Sequence, residues 1–148
     1  MNIAAMTLTA LVGASLALQI GLNATMSRHV GSPMAAALIN FVVGSLVLFV
    51  IVLLGRGSLP LLAQAGAAPW WAWAGGFLGA MFIAASTAFG PLIGGATFLA
   101  LLVAGQMIAA IAIDHYGVLG FPVRPVDGWR IAGALLVVAG VFLLARRA

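Results

Sequence analysis

The residues able to do chemistry in this chain are neutral, and they sit inside long apolar runs. Ser15, Gln19, Asn23 and Ser27 recur at every fourth position; Asn40 and Ser45 follow, then Ser86 and Thr87, then Thr97 and Gln106. At 3.6 residues per turn, four-residue spacing makes a polar ridge that drifts by about 40° per step. A carboxamide both donates and accepts hydrogen bonds, so Gln19, Asn23 and Gln106 can line a polar cavity and touch a substrate or its water. A lone Ser or Thr can instead bond its own helix carbonyl four residues back, which would make Ser15 and Ser86 structural. The expected substrate pathway is therefore Ser15, Gln19, Asn23, Asn40, Ser86 and Gln106, with the amides carrying most of it.

Charged chemistry is sparse. The two acids are Asp114 and Asp127, and both fall at the ends of apolar runs. Asp114 beside His115 is not a dyad if helical, because adjacent helical residues point about 100° apart. Asp114 is expected as an interfacial cap, gate or coupling residue, and His29 beside Arg28 as interfacial. Acids, His and Ser do not assemble into a nucleophilic triad, paired carboxylates or a metal set within the runs, so an enzyme is not expected, nor any metal or cofactor. Gly94-Gly95 lacks the Lys-Ser/Thr of a phosphate loop. There is no Cys, which removes disulfide and thiol chemistry.

The elements that must position these side chains follow from composition. Of 148 residues, 65% are hydrophobic and 5% charged, with a mean hydropathy of +1.26. Soluble domains carry about 25% charged residues. About 20 apolar residues in a helix cross a ~30 Å hydrocarbon layer, and unpaired backbone there is too costly for other spanning forms except closed barrels, whose alternating pattern is absent. The expectation is an all-α integral membrane protein forming one domain over residues 1–148, with five transmembrane helices at about 3–27, 33–54, 70–89, 92–113 and 128–145. Ser32 is expected to cap the second helix with Pro33 at its first position, and Asp127 to cap the fifth. Gly55-Arg56-Gly57 ends the second helix, and Gly90 to Gly95 is read as a tight turn. The segment from Asp114 to Asp127, rich in Gly and Pro, is expected to be irregular or interfacial. Trp70, Trp71, Trp73 and Trp129 read as headgroup-level anchors. The first apolar stretch lacks a basic start and runs past Gly21, too long for a cleaved signal, so it reads as a retained helix.

Six Arg against two Asp give a net charge of +4, but the Arg stand one or two at a time between apolar runs, a pattern of helix-end anchors and not of a nucleic-acid surface. Five spans place Arg56, Arg124 and Arg130 on one side and Arg28, Arg146 and Arg147 on the other. Three against three is no bias, and basic residues near the spans set orientation. Insertion both ways is expected, with opposed copies meeting as an antiparallel homodimer: a ten-helix inverted-repeat bundle of the kind that alternating access uses. Small residues mark packing faces at Gly13, Ala17 and Gly21, at Gly75, Gly76 and Gly79, and at Gly133 and Gly140, the last pair being the expected dimer contact. The partners are then the lipid bilayer, a second copy of the chain and a small polar solute.

Ala17-Leu-Gln-Ile-Gly-Leu-Asn23, Gly31-Ser-Pro33 and Asn40-Phe-Val-Val-Gly44 resemble the YdcZ-type family of the drug/metabolite transporter superfamily. So do Trp73-Ala-Gly-Gly76, Ala104-Gly-Gln106, Asp114-His-Tyr-Gly117 and the last helix from Gly133 to Gly140, in order over nearly the whole chain. The resemblance implies a five-helix protein of the bacterial inner membrane and an exporter of small molecules, found as single chains, paired genes or ten-helix fusions. It is similar in logic to the small multidrug resistance proteins, whose first helix carries an embedded glutamate for proton-coupled exchange of cations. No acid occurs in the first helix here, and neutral, zwitterionic or anionic solutes fit at least as well as cations. A non-transporting subunit that scaffolds a partner is the alternative, against which the amide ridge argues.

Overall fold

The computed structural model describes residues 3–55 and 64–146, and all regular structure among them is helical. Arg56, Gly57 and Arg147, which enter the charge balance and the second helix end, lie outside the described residues. The helices are α1 (Ile3–Val30), α2 (Pro33–Leu54), α3 (Ala74–Ile93), α4 (Gly95–Tyr116) and α5 (Gly128–Ala145). With the 3-10 turn before α3, all five are long and apolar enough to cross a membrane. The chain divides into two compact units, residues 1–91 and 92–148.

Local chemistry explains most boundaries. Ser32 accepts a hydrogen bond from the Ala35 N–H, and Pro33 opens α2, where its missing N–H costs nothing. The Asp127 carboxylate accepts from the Arg130 N–H at 2.8 Å and so caps α5. Gly117, at φ 62°, ends α4 in the left-handed conformation, and a Cβ there would lie 2.5 Å from Val123 Cγ2.

Several boundaries differ from expectation: α1 runs on to Val30 and the fourth helix spans Gly95–Tyr116, so Arg28, His29 and Asp114 are helical. Residues Trp70–Trp73 form a short 3-10 turn after the extended Pro69, and the α-helical hydrogen bonding begins only at Ala74. Helix α3 does not stop at Gly90-Pro91 but carries Pro91 within it to Ile93; only two residues follow the proline, so one lost backbone bond suffices. The supposed turn from Gly90 to Gly95 thus shrinks to a break at Gly94, whose φ of 83° suits glycine alone.

In the first unit, α1 and α2 form a tight hairpin about Gly31, which sits at φ 74°. Ala24, Ala36 and Ala37 are buried, small side chains near the turn of the hairpin that suit close helix packing. Helix α3 reaches α1 at Gly90, which is buried: a Cβ on it would lie 2.6 Å from Ile20 Cγ2. It reaches α2 at Gly79, where a Cβ would meet the Phe41 ring tip at 3.7 Å. Gly13 and Gly21, expected to pack, have nothing within 4 Å of a built Cβ; the close approach on α1 is made by Ile20 instead. In the second unit α4 packs on α5, and the connecting segment folds back on the end of α4.

Apolar surface is turned outward. Leu46, Val47, Leu48, Phe49 and Ile51 are all more than half exposed. In water this would be ruinous; in a bilayer hydrocarbon covers it at no cost, and close backbone approach holds the helices together. Trp70 and Trp129 are also strongly exposed, beside the starts of α3 and α5, as anchors at a membrane surface would be.

Ile20 is β-branched and stiff in a helix, so its Cγ2 cannot swing away from Gly90. Gly90→Leu should therefore destabilise the purified protein in detergent by ~1–3 kcal/mol, the usual range for overpacking. Adding Ile20→Ala should recover most of that loss, as read by chemical denaturation of the single and double variants.

Candidate functional site

The α1–α2 hairpin brings two of the expected amides together. Asn23 lies seven residues before the end of α1 and Asn40 seven residues after the start of α2, so each sits roughly 10 Å from the turn at 1.5 Å per residue. The Asn40 Nδ2 donates to Asn23 Oδ1 at 2.7 Å. Asn23 is only 3% exposed, and its own Nδ2 is buried without a hydrogen-bond partner. An unpaired amide group in an apolar interior costs about 1–3 kcal/mol, so this donor is a cost unless something transient uses it.

Beside this pair lies a cavity of ≈ 220 Å³ among α1, α2 and α3, lined by Gln19, Asn40, Phe41, Ser45 and Ile83 among others. Gln19 stands one turn before Asn23 on α1, and Ser45 just over one turn beyond Asn40 on α2. The hairpin therefore sets the Asn23–Asn40 pair beside a cavity that Asn40, Gln19 and Ser45 line.

The remaining expected residues fare differently. Ser15 is exposed and its hydroxyl donates to the Val12 carbonyl at 2.7 Å. Ser86 is buried, but its hydroxyl donates to the Ile83 carbonyl at 2.9 Å, and Thr87 donates to the same oxygen at 2.8 Å. Both Ser side chains thus satisfy themselves within their own helices. Gln106, on α4 in the second unit, has an exposed side chain. Gly133 and Gly140 on α5 are half-buried, and a Cβ on either would meet nothing within 4 Å.

Asp114 ends α4 in an ion pair with Arg130, Oδ2 to the guanidinium at 3.2 Å, with about a quarter of each side chain exposed. The Asp114 carbonyl also accepts from the Arg124 N–H at 2.7 Å, and the same guanidinium donates to the Arg124 carbonyl at 3.4 Å. His115 points elsewhere: its Nδ1 accepts from the Val126 N–H at 3.2 Å. The adjacent Asp and His serve separate partners, as their angular separation requires. This clasp, with Gly117 at its corner, fixes the irregular segment between α4 and α5. His29, at the other helix end, takes its bond locally, Nδ1 to the Thr25 carbonyl at 2.9 Å.

Two residues at the site were not singled out from sequence. Phe41 lines the cavity, and Gly90 sets the spacing of α3 from α1. Neither type carries a polar signal; Gly90 beside Pro91 even reads as a helix end. The hint available for Phe41 was its place next to Asn40.

Comparisons with known proteins agree with one another. The sequence model of a family described as "Putative inner membrane exporter, YdcZ" matches residues 4–143. The chain is similar to "Inner membrane protein YdcZ" of Escherichia coli (strain K12), with 34% identity over 136 residues, covering 91% of this chain and 90% of the relative. No solved structure matches.

If the Asn23–Asn40 bond is a buried pair, removing one partner must hurt more than removing both. Asn40→Leu should cost about 1–3 kcal/mol, because it leaves both ends of the Asn23 amide unpaired. Asn23→Leu with Asn40→Leu should cost less than Asn40→Leu alone. A double-mutant cycle on unfolding in detergent reads the difference.

Proposed function

The chain belongs to the YdcZ family of inner membrane proteins and is a multi-pass protein of that membrane, and on this premise we propose that it is a secondary transporter that exports small polar molecules by alternating access. The observation that carries the reading is the Asn23–Asn40 amide pair within the membrane spans, beside a cavity that Asn40 and Gln19 line, with one buried Asn23 donor left unbonded. Polar groups within spans are costly and usually mark a solute path. A family described by export rather than by a reaction supports transport over catalysis.

The working unit in this proposal is an antiparallel homodimer of two oppositely inserted copies, each contributing its five spans as a single transmembrane domain. The even division of Arg between the two sides supports dual insertion. The open space at Gly133 and Gly140 supports α5 as the contact, since packing inside the chain leaves both glycines uncovered. Inverted pairing would restore the symmetry that lets one central path open to either side in turn.

Roles within the path follow the geometry. Gln19, Asn23 and Asn40 bind solute, Gln106 is a further solute contact of the working transporter, and Ser15 and Ser86 line the path with hydroxyls already bonded to backbone. Asp114 is the gate or coupling residue: a partly exposed ion pair with Arg130 is worth ~0–1 kcal/mol, weak enough to break and re-form in a cycle.

Two experiments test this. A reporter active on only one side of the membrane, fused to the C-terminus, should give signal from both sides; signal from a single side in every fusion rejects dual insertion. In proteoliposomes screened across solute classes with and without a pH gradient, Gln19→Leu, Asn23→Leu and Gln106→Leu should each abolish flux while the purified protein keeps its dimeric size. Full flux in all three variants would remove these amides from the path.

A further inference from the structure

The amide cavity has a neighbour. Across α2, between α2 and α3, lies a groove of ≈ 470 Å³ whose walls are entirely apolar: Met34, Phe41, Phe77, Met81, Ala84 and Phe89 among them. Phe41 lines both spaces. The reason is helical: Asn40 and Phe41 point about 100° apart, so one turn of α2 offers an amide toward α1 and an aromatic ring toward α3. The alanines of α3, at 80, 84 and 88, recur one turn apart and hollow out the opposite wall. Glycine at 79 stands behind the Phe41 ring tip, where even a methyl group would be in van der Waals contact at 3.7 Å.

Charge decides what could occupy the two spaces. No charged side chain lines either one. An ionised head would be stripped of water with no counter-charge, which costs several kcal/mol. Carboxamides at Gln19 and Asn40 and the Ser45 hydroxyl instead offer paired donors and acceptors to a neutral head. The groove falls within the 300–1,000 Å³ typical of small-molecule sites, enough for one short tail or ring system. Met34, Phe77, Met81 and Phe89 at its rim are all exposed, so an apolar tail can enter sideways.

We propose that residues of α1, α2 and α3 form a two-part site for an uncharged amphiphile: a carboxamide- or hydroxyl-type head on Gln19, Asn40 and Ser45, an apolar tail between α2 and α3, and Phe41 as the partition between them. This deepens the transport reading and rests on the amide cavity being its solute site. It narrows the substrate from small polar solutes in general to neutral molecules with an apolar part.

The test is equilibrium photolabelling of the full chain in lipid nanodiscs with decanamide carrying a diazirine on its tail, mapped by peptide mass spectrometry. Labelling should concentrate on α2 near Phe41 and on residues 77–89 of α3. Excess decanamide should abolish it, decanoate and decyltrimethylammonium should compete at least about tenfold more weakly, a difference of 1.4 kcal/mol or more, and acetamide should not compete. Ala84→Phe, which fills the groove, and Gln19→Leu, which removes a head contact, should each weaken labelling at least about tenfold; folding of each is checked by its elution as purified protein, and either one suffices. Labelling spread evenly over the outward faces of α2 and α5, or equal competition by the charged homologues, overturns the proposal. The flux assay separates the two readings. Saturable labelling without flux of any solute upholds the site and defeats transport, whereas flux of small polar solutes with only diffuse labelling upholds transport and defeats the site.

Discussion

In hydrocarbon an amide side chain has no water to fall back on, and the hydrogen bond from Asn40 to Asn23 is where this chain meets that constraint. Two helices each carry one amide seven residues from a shared turn, and the turn at Gly31 sets them opposite each other. Buried alanines near the turn suit the close packing in which the 2.7 Å bond forms. The bond consumes one end of Asn23 and leaves the other buried and open. The bond ties the hairpin register of α1 and α2, and Asn40 carries it to the wall of the neighbouring cavity.

Around it the chain is organised by what a membrane does and does not reward. Apolar side chains point outward because hydrocarbon accepts them as readily as a protein core does. What draws helices together is therefore shape: Gly90 against Ile20 and Gly79 against Phe41. The charged groups stay at the ends. Asp114 and Arg130, with the carbonyl of Asp114 also bonded by Arg124, knit the α4–α5 connection outside the apolar runs. Among the described residues, the polar side chains away from the helix ends are uncharged amides and hydroxyls.

Much of the fold was legible in the residues themselves. Helix number and the caps at Ser32 and Asp127 follow from local chemistry: run length and side-chain capping. Each needs only neighbours within a turn or so. Errors arose where a local signal had a longer-range rival. Gly90-Pro91 looks like a terminus, yet the helix runs through it to Ile93, with Gly90 close against Ile20.

The amides' importance could be read from the sequence because a carboxamide in an apolar run is conspicuous in any arrangement. Which amide meets which could not, nor that Ser15 and Ser86 would bond their own carbonyls, nor that Phe41 would divide a polar space from an apolar one. Those facts depend on the rotation and depth of one helix against another, which one-dimensional spacing leaves free. Composition determined that this chain must live in a membrane. Tertiary packing alone decided that Asn23 and Asn40 meet, because only the meeting of separate helices can place two side chains within hydrogen-bonding reach.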